Sequence, residues 1–343
     1  MIWLALMGIA FFAAKRCHWL PVAGKHEAYM ALHHRYFGDY FPNYFQIFLH
    51  PLHYYIWAVT YARSRLLGNL TYDLILTATG PLLHCAILRI FGSEGAALFA
   101  AGTFYLYALL PNTYGAFLEP EAVAGAFSIA GLALTAAALA NGSWAGIVAG
   151  SLLAALAFWV KASFLISTTL WPPTLILWTR GPGIELILSS GVIALMAAIF
   201  VAMAVMPRHR LHPYCYNFGL DSLGEGFMQR LKFFLEYQRF MLNNKRCGQG
   251  WRGFLRELAQ TARHNTLLTL PILVPFAFYL TQSWASQEAR LILLLMAVAQ
   301  LQCILRSEFE LRYGLMACIP LSVGAGLALE RSGLAETINA SGT

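Results

Sequence analysis

Three polar groups interrupt the long apolar runs of this chain, and their residue types suit transfer chemistry at a membrane surface. The first reads His26-Glu27-Ala28-Tyr29, then His33-His34-Arg35-Tyr36-Phe37-Gly38-Asp39-Tyr40, then Leu49-His50-Pro51-Leu52-His53-Tyr54-Tyr55. Glu27, Met30, Ala31 and His34 recur at the spacing of one helix face. A carboxylate such as Glu27 beside a headgroup-level cleft can take the proton of an incoming hydroxyl. The same residue in an ordinary polar loop would only be solvated. Six of the ten histidines lie between 18 and 53, but no spacing among them defines a metal site.

The second group is Phe117-Leu118-Glu119-Pro120-Glu121-Ala122-Val123. Glu119 and Glu121 can share a divalent cation such as Mg or Mn, whose hard oxygen ligands they would supply. They can instead orient a hydroxyl substrate, or simply favour the positive end of the helix that starts there. The third group combines Lys161, at the end of Ala157-Phe158-Trp159-Val160-Lys161-Ala162-Ser163, with Arg306-Ser307-Glu308-Phe309-Glu310-Leu311-Arg312-Tyr313. An ammonium at the end of an apolar helix suits a lipid phosphate or snorkels as an anchor. Arg312 can grip a phosphate with two hydrogen bonds, or pair with Glu308 one turn away.

The elements that must position these groups follow from composition. Of 343 residues, 59% are hydrophobic and only 11% charged, against roughly 25% charged in an ordinary soluble domain. The apolar runs lack strand-like alternation, so the chain reads as an all-α polytopic membrane protein rather than a barrel. About ten spans are expected: 1–14, 72–91, 95–111, 120–140, 144–160, 162–179, 185–206, 266–282, 290–305 and 313–329. Residues 1–14 lack a basic n-region and read as a first span rather than a cleaved signal. Residues 44–60 are aromatic and apolar but carry His50, Pro51 and His53, which suggests a segment at or dipping into the interface, with an eleventh span as the alternative.

This arrangement forms one membrane-embedded domain over 1–343, with two long polar segments at 15–71 and 207–265 and no soluble C-terminal domain. Arg89, Arg180, Arg290 and Arg331 then share one face, which the positive-inside rule makes cytoplasmic. The opposite face receives both long segments, Lys161 and the connections around 111–121 and 306–312. Gly-Ala-rich stretches such as 122–156 suit close helix packing in lipid. Residues 207–265 hold ten basic residues against four acidic ones, and between two spans their partner is lipid headgroup rather than nucleic acid. Within them, 226–242 places Phe227, Leu231, Phe234 and Leu235 beside Arg230, Lys232 and Arg239, as an interfacial helix would. Cys215 and Cys247 share this segment and can pair if it faces an oxidising compartment, whereas Cys85, Cys303 and Cys318 read as small core residues.

In linear order these pieces resemble the GT-C superfamily, the integral-membrane glycosyltransferases that use polyprenyl-phosphate sugars, such as protein mannosyltransferases and aminoarabinose transferases. The resemblance runs over nearly the whole chain. It rests on Lys25-His26-Glu27-Ala28-Tyr29, Phe48-Leu49-His50-Pro51-Leu52-His53-Tyr54-Tyr55, the acids Glu119 and Glu121, Phe158-Trp159-Val160-Lys161, and Arg312-Tyr313 before a span with Pro320. The family's catalytic acid is usually Asp, where this chain has His26 followed by Glu27.

The resemblance implies an undecaprenyl- or dolichyl-phosphate sugar donor and a hydroxyl acceptor on a glycan, lipid or protein. Glu27 would be the base, supported by His26, Tyr29 and His50. Lys161, Arg312, Tyr313 and Arg35 would hold the lipid phosphate. Glu119, Glu121 and Asp39 would orient the acceptor or hold a divalent cation. The site would face the periplasm of a bacterial inner membrane. Two other classes stay open on the residues: a non-catalytic membrane subunit of the same fold, and a lipid or polysaccharide transporter. A transporter would carry charges or broken helices near the midplane. Asp73 and His84 are the nearest such residues, with Asp73 at the start of a span.

Overall fold

The computed structural model describes residues 2–17, 52–53, 56, 59–60, 63–109, 120–161, 164–165, 167–205, 270–306 and 311–332. Glu27, Asp39, Arg35, His26, Tyr29, His50, Glu119, Cys215, Cys247 and the segment 226–242 lie outside the described residues. Among the described residues the regular structure is entirely helical. In chain order we name α1 (Ile2–Cys17), α2 (Arg65–Phe91), α3 (Glu94–Leu109), α4 (Pro120–Asn141) and α5 (Trp144–Val160). They are followed by α6 (Trp171–Arg180), α7 (Ile184–Val205), α8 (Leu270–Ser283), α9 (Gln287–Arg306) and α10 (Leu311–Arg331).

Three stretches, Leu66–Phe91, Val123–Asn141 and Ile184–Ala202, are long and apolar enough to cross a membrane. The chain is therefore a helical, membrane-embedded protein. The shorter apolar helices Ile2–Lys15, Trp144–Val160 and Leu270–Ser283 accompany them.

Helical hairpins follow from local chemistry at the turns. Gly92 closes α2 at φ 69°, a left-handed conformation that costs glycine little, and Ser93 then accepts from the Ala96 N–H at 2.9 Å to start α3. The same Gly-Ser device joins α4 to α5, where Ser143 accepts from the Gly146 N–H at 3.2 Å. Gly181 ends α6 before α7, and the Ser286 hydroxyl accepts from Ala289 N–H at 3.1 Å to start α9. These four turns lie at one end of the bundle, here the turn end. The other, the loop end, is where the segments 18–51, 110–119, 206–269 and 307–310 attach.

Lipid offers no hydrophobic drive between helices, so close backbone approach does the holding. Along α4 and α5 the expected small-residue seam is present. A Cβ on Gly131 would stand 2.7 Å from the Ala154 Cβ, one on Gly146 would stand 2.7 Å from the Ala138 Cβ, and one on Gly150 would collide with Thr135. Across the bundle α10 lies on α3, where a Cβ on Gly326 would stand 2.7 Å from the Ala96 Cα. Hydrogen bonds add specific ties: Ser151 and Ser189 hydroxyls lie 2.7 Å apart between α5 and α7, and Trp171 donates to the Leu295 carbonyl of α9 at 3.0 Å.

Several expectations are corrected. The stretch 162–179 is not a continuous helix: a 3-10 turn at Thr168–Leu170 precedes α6, which has only ten residues. At about 1.5 Å per residue α6 spans ~15 Å, half of a ~30 Å hydrocarbon core. The reason is Pro172-Pro173 in the first turn of α6, since proline lacks the N–H and clashes with the carbonyl of the preceding turn. Helix α2 begins at Arg65, with the Ser64 hydroxyl accepting from Leu67 N–H at 3.4 Å, so Asp73 sits two turns inside it rather than at its start. Cys318 is buried as expected, but Cys85 is exposed on the outside of the bundle. In the 44–60 stretch, Leu52 and Ile56 pack against the core and His53 is buried.

Candidate functional site

Antiparallel packing of α4 on α5 brings the start of one helix level with the end of the other. Glu121 stands in the first turn of α4 and Lys161 is the C-terminal cap of α5. Each charge therefore opposes the partial charge of its own helix end. The two side chains form an ion pair across the helix interface, with Glu121 0% and Lys161 6% exposed. Sequence reading assigned these residues to separate tasks, forty positions apart. Lys161 does not snorkel outward, and its ammonium occupies Glu121 Oε1. Among the described residues no group of three or more His, Cys, Asp or Glu could hold a metal ion.

Beyond Lys161, the described residues 164–165 and 167–170 make 3-10-type hydrogen bonds of their own. Phe164 N–H donates to the Lys161 carbonyl at 2.9 Å, Ser167 N–H to Phe164 at 3.1 Å, and Leu170 N–H to Ser167 at 2.9 Å. Such backbone is tolerated at membrane depth where protein surrounds it, and Phe164, Ser167, Thr168 and Thr169 are all buried. Their hydroxyls are matched: Thr168 lies 2.7 Å from the Ser128 hydroxyl, Ser167 donates to the Ala299 carbonyl at 3.1 Å, and Thr169 to Ala154 at 3.1 Å. These hydrogen bonds tie 167–169 to α4, α5 and α9.

Two further polar contacts lie at the loop end. His53 Nδ1 and the Tyr72 hydroxyl are 3.0 Å apart, both residues buried, with their rings edge to face at 5.7 Å. Asp73, also buried, lies close enough to Lys15 of α1 for their charges to interact. The pairing of Asp73 with α1 was not legible in the spacing, because it depends on which helices become neighbours. Arg312 and Tyr313 fall in the first turn of α10. His84, the other intramembrane candidate, belongs to the opposite end, with Nε2 3.1 Å from Glu94 Oε1 across the α2–α3 turn.

The turn end carries its own network. Arg331 of α10 contacts Glu288 of α9 at 2.6 Å and the Ser283 hydroxyl at 2.5 Å, and lies 5.2 Å from the centre of the Tyr279 ring. Ser93 donates to Glu330, and Arg180 donates to the Leu139 carbonyl at 2.9 Å. No protein-family model matches this chain, and no curated protein or solved structure matches it either.

Proposed function

We propose that the protein is a membrane glycosyltransferase that moves a sugar from a polyprenyl-phosphate donor to a hydroxyl acceptor at the loop end. The buried Glu121–Lys161 pair carries this reading. An ionisable pair buried in a membrane bundle is costly, and intramembrane charges as a rule serve a function. This pair stands at the bundle end where the long polar segments attach. In the proposed reaction the acceptor oxygen bonds to the anomeric carbon as the bond from that carbon to the phosphate oxygen breaks. Glu27 takes the acceptor proton, and the configuration inverts. Lys161, with Arg312, Tyr313 and Arg35, stabilises the charge that develops on the departing polyprenyl phosphate. Glu121 aims the Lys161 ammonium, while Glu119 and Asp39 orient the acceptor and His26, Tyr29 and His50 support the base. The ten helices would supply ten spans, with α6 and its irregular lead-in completing one of them, and the loop end would face the periplasm of a bacterial inner membrane.

The test is transfer of radiolabelled sugar from polyprenyl-phosphate donors to cell-envelope acceptors by protein reconstituted in lipid, with and without EDTA. Wild-type transfer that collapses in Glu27→Gln and Lys161→Met, with folding retained, is the expected outcome. Absence of transfer from every donor would sink the enzyme and leave the non-catalytic subunit. EDTA sensitivity would assign a divalent cation, Mg or Mn, to Glu119 and Glu121.

A second reading, transport of a lipid-linked saccharide, is favoured by the buried 3-10 turn Thr168–Leu170 before the short α6 and by Asp73 buried in α2. Transporters build their sites from interrupted helices. Movement of labelled lipid across the reconstituted bilayer with its sugar intact would select it.

A further inference from the structure

At the turn end, the ends of four helices leave a cleft of about 420 Å³ that plays no part in the proposed transfer. Arg89 and Phe91 of α2, Leu139 of α4, Trp178 of α6, and Glu288 and Leu291 of α9 are among its walls. Its volume falls in the range of ligand pockets, roughly 300–1,000 Å³. Charge within it is asymmetric. Glu288 is neutralised by Arg331 and also lies 3.4 Å from the Tyr279 hydroxyl. Arg89 forms no ion pair among the described residues, nor does Arg180, which donates to the carbonyl of the lining residue Leu139. The Arg89 guanidinium therefore lines the cleft, and that of Arg180 lies against the lining residue Leu139, with no carboxylate of the described residues on either.

The level of the cleft identifies its surroundings. Trp144, Trp178 and Trp284 are exposed at this same end, at 57%, 36% and 71%. Exposed tryptophans at the ends of apolar helices mark the headgroup layer. A ligand here meets the Arg89 guanidinium together with the apolar side chains of Phe91, Leu139 and Leu291.

We infer that this cleft binds the phosphate headgroup of an anionic phospholipid, with Arg89 as the phosphate ligand and Phe91, Leu139 and Leu291 against the glycerol and upper acyl chain. Arg89 is exposed and can turn onto a phosphate without breaking an existing ion pair. A zwitterionic lipid would bring its own cation toward this uncompensated positive charge and bind less well. The site is independent of the loop-end chemistry.

The test is native mass spectrometry of the delipidated full chain titrated with phosphatidylglycerol or phosphatidylcholine. Phosphatidylglycerol should bind the wild type more tightly. Arg89→Gln should weaken it about tenfold, the loss of one charge-assisted contact. Arg63→Gln, which removes an exposed cation at the loop end, should bind like wild type. Ala140→Trp fills the cleft from an exposed position and should also lose the lipid, deciding the matter if Arg89→Gln misfolds. Wild-type affinity in Arg89→Gln overturns the assignment, as does equal binding of phosphatidylcholine. Displacement of the lipid by millimolar inorganic phosphate or glycerol 1-phosphate overturns the lipid as ligand in favour of a free phosphate.

Discussion

Neutralising the Glu121–Lys161 pair separates a structural role from a chemical one. Both residues are withdrawn from solvent, so removing one leaves the other's charge buried without its counter-charge. Single substitutions that break a buried pair cost about 3–5 kcal/mol, whereas replacing both partners by apolar groups of similar volume is often neutral or stabilising. We therefore expect Glu121→Leu and Lys161→Met each to lose about 3 kcal/mol of stability, and the double variant to recover most of it. Reversible SDS-induced unfolding in bicelles, followed by far-UV circular dichroism, measures all four corners of the cycle. The double variant then becomes the informative protein for activity. It is folded, it lacks the ammonium, and it should transfer no sugar if Lys161 receives the phosphate. Single variants that each lose less than about 1 kcal/mol, or a double variant as damaged as the sum of the singles, would refute the burial argument. A double variant that folds and still transfers sugar would confine the pair to a structural role.

Three further outcomes are expected. Gly150→Leu should destabilise the protein by about 1–3 kcal/mol through overpacking against Thr135 and Gly131, while Gly191→Leu, with no neighbour within 4 Å, should be neutral or slightly stabilising in the same unfolding assay. Arg331→Ala should cost no more than about 1 kcal/mol, because Arg331 and Glu288 are 45% and 42% exposed, and a larger loss would show that the turn-end network acts cooperatively. Single cysteines at Asn141, Pro182 and Ala285 in a cysteine-free background should react with an impermeant maleimide from one side of sealed vesicles, since all three lie at the turn end. Labelling from opposite sides would contradict the bundle.

Much of the architecture was readable along the chain. Each of the ten apolar runs contains a helix among the described residues, because a backbone in lipid must satisfy its own hydrogen bonds and consecutive apolar side chains leave the helix as the open choice. The α4–α5 seam was equally legible, since Gly146 and Gly150 on α5 and Gly131 on α4 advertise close approach whatever the partner. Element edges were less so. Arg65 to Thr71 read as loop from their polarity, yet once Ser64 caps the helix, propagation adds a hydrogen bond per residue regardless of side-chain polarity. The break before α6 was written in Pro172-Pro173, but hydropathy alone passed over it.

Composition and residue order thus determined that this is a helical membrane protein, where its helices fall and which residues are chemically unusual. Tertiary structure decided which unusual residues meet. Glu121 faces Lys161, Asp73 lies near Lys15, His53 meets Tyr72, and Cys85 points away from the core. Those outcomes depend on the rotation of each helix about its axis and on the choice of its neighbours. A periodic pattern specifies a helix face, but the partner of that face is selected only when all the helices pack together.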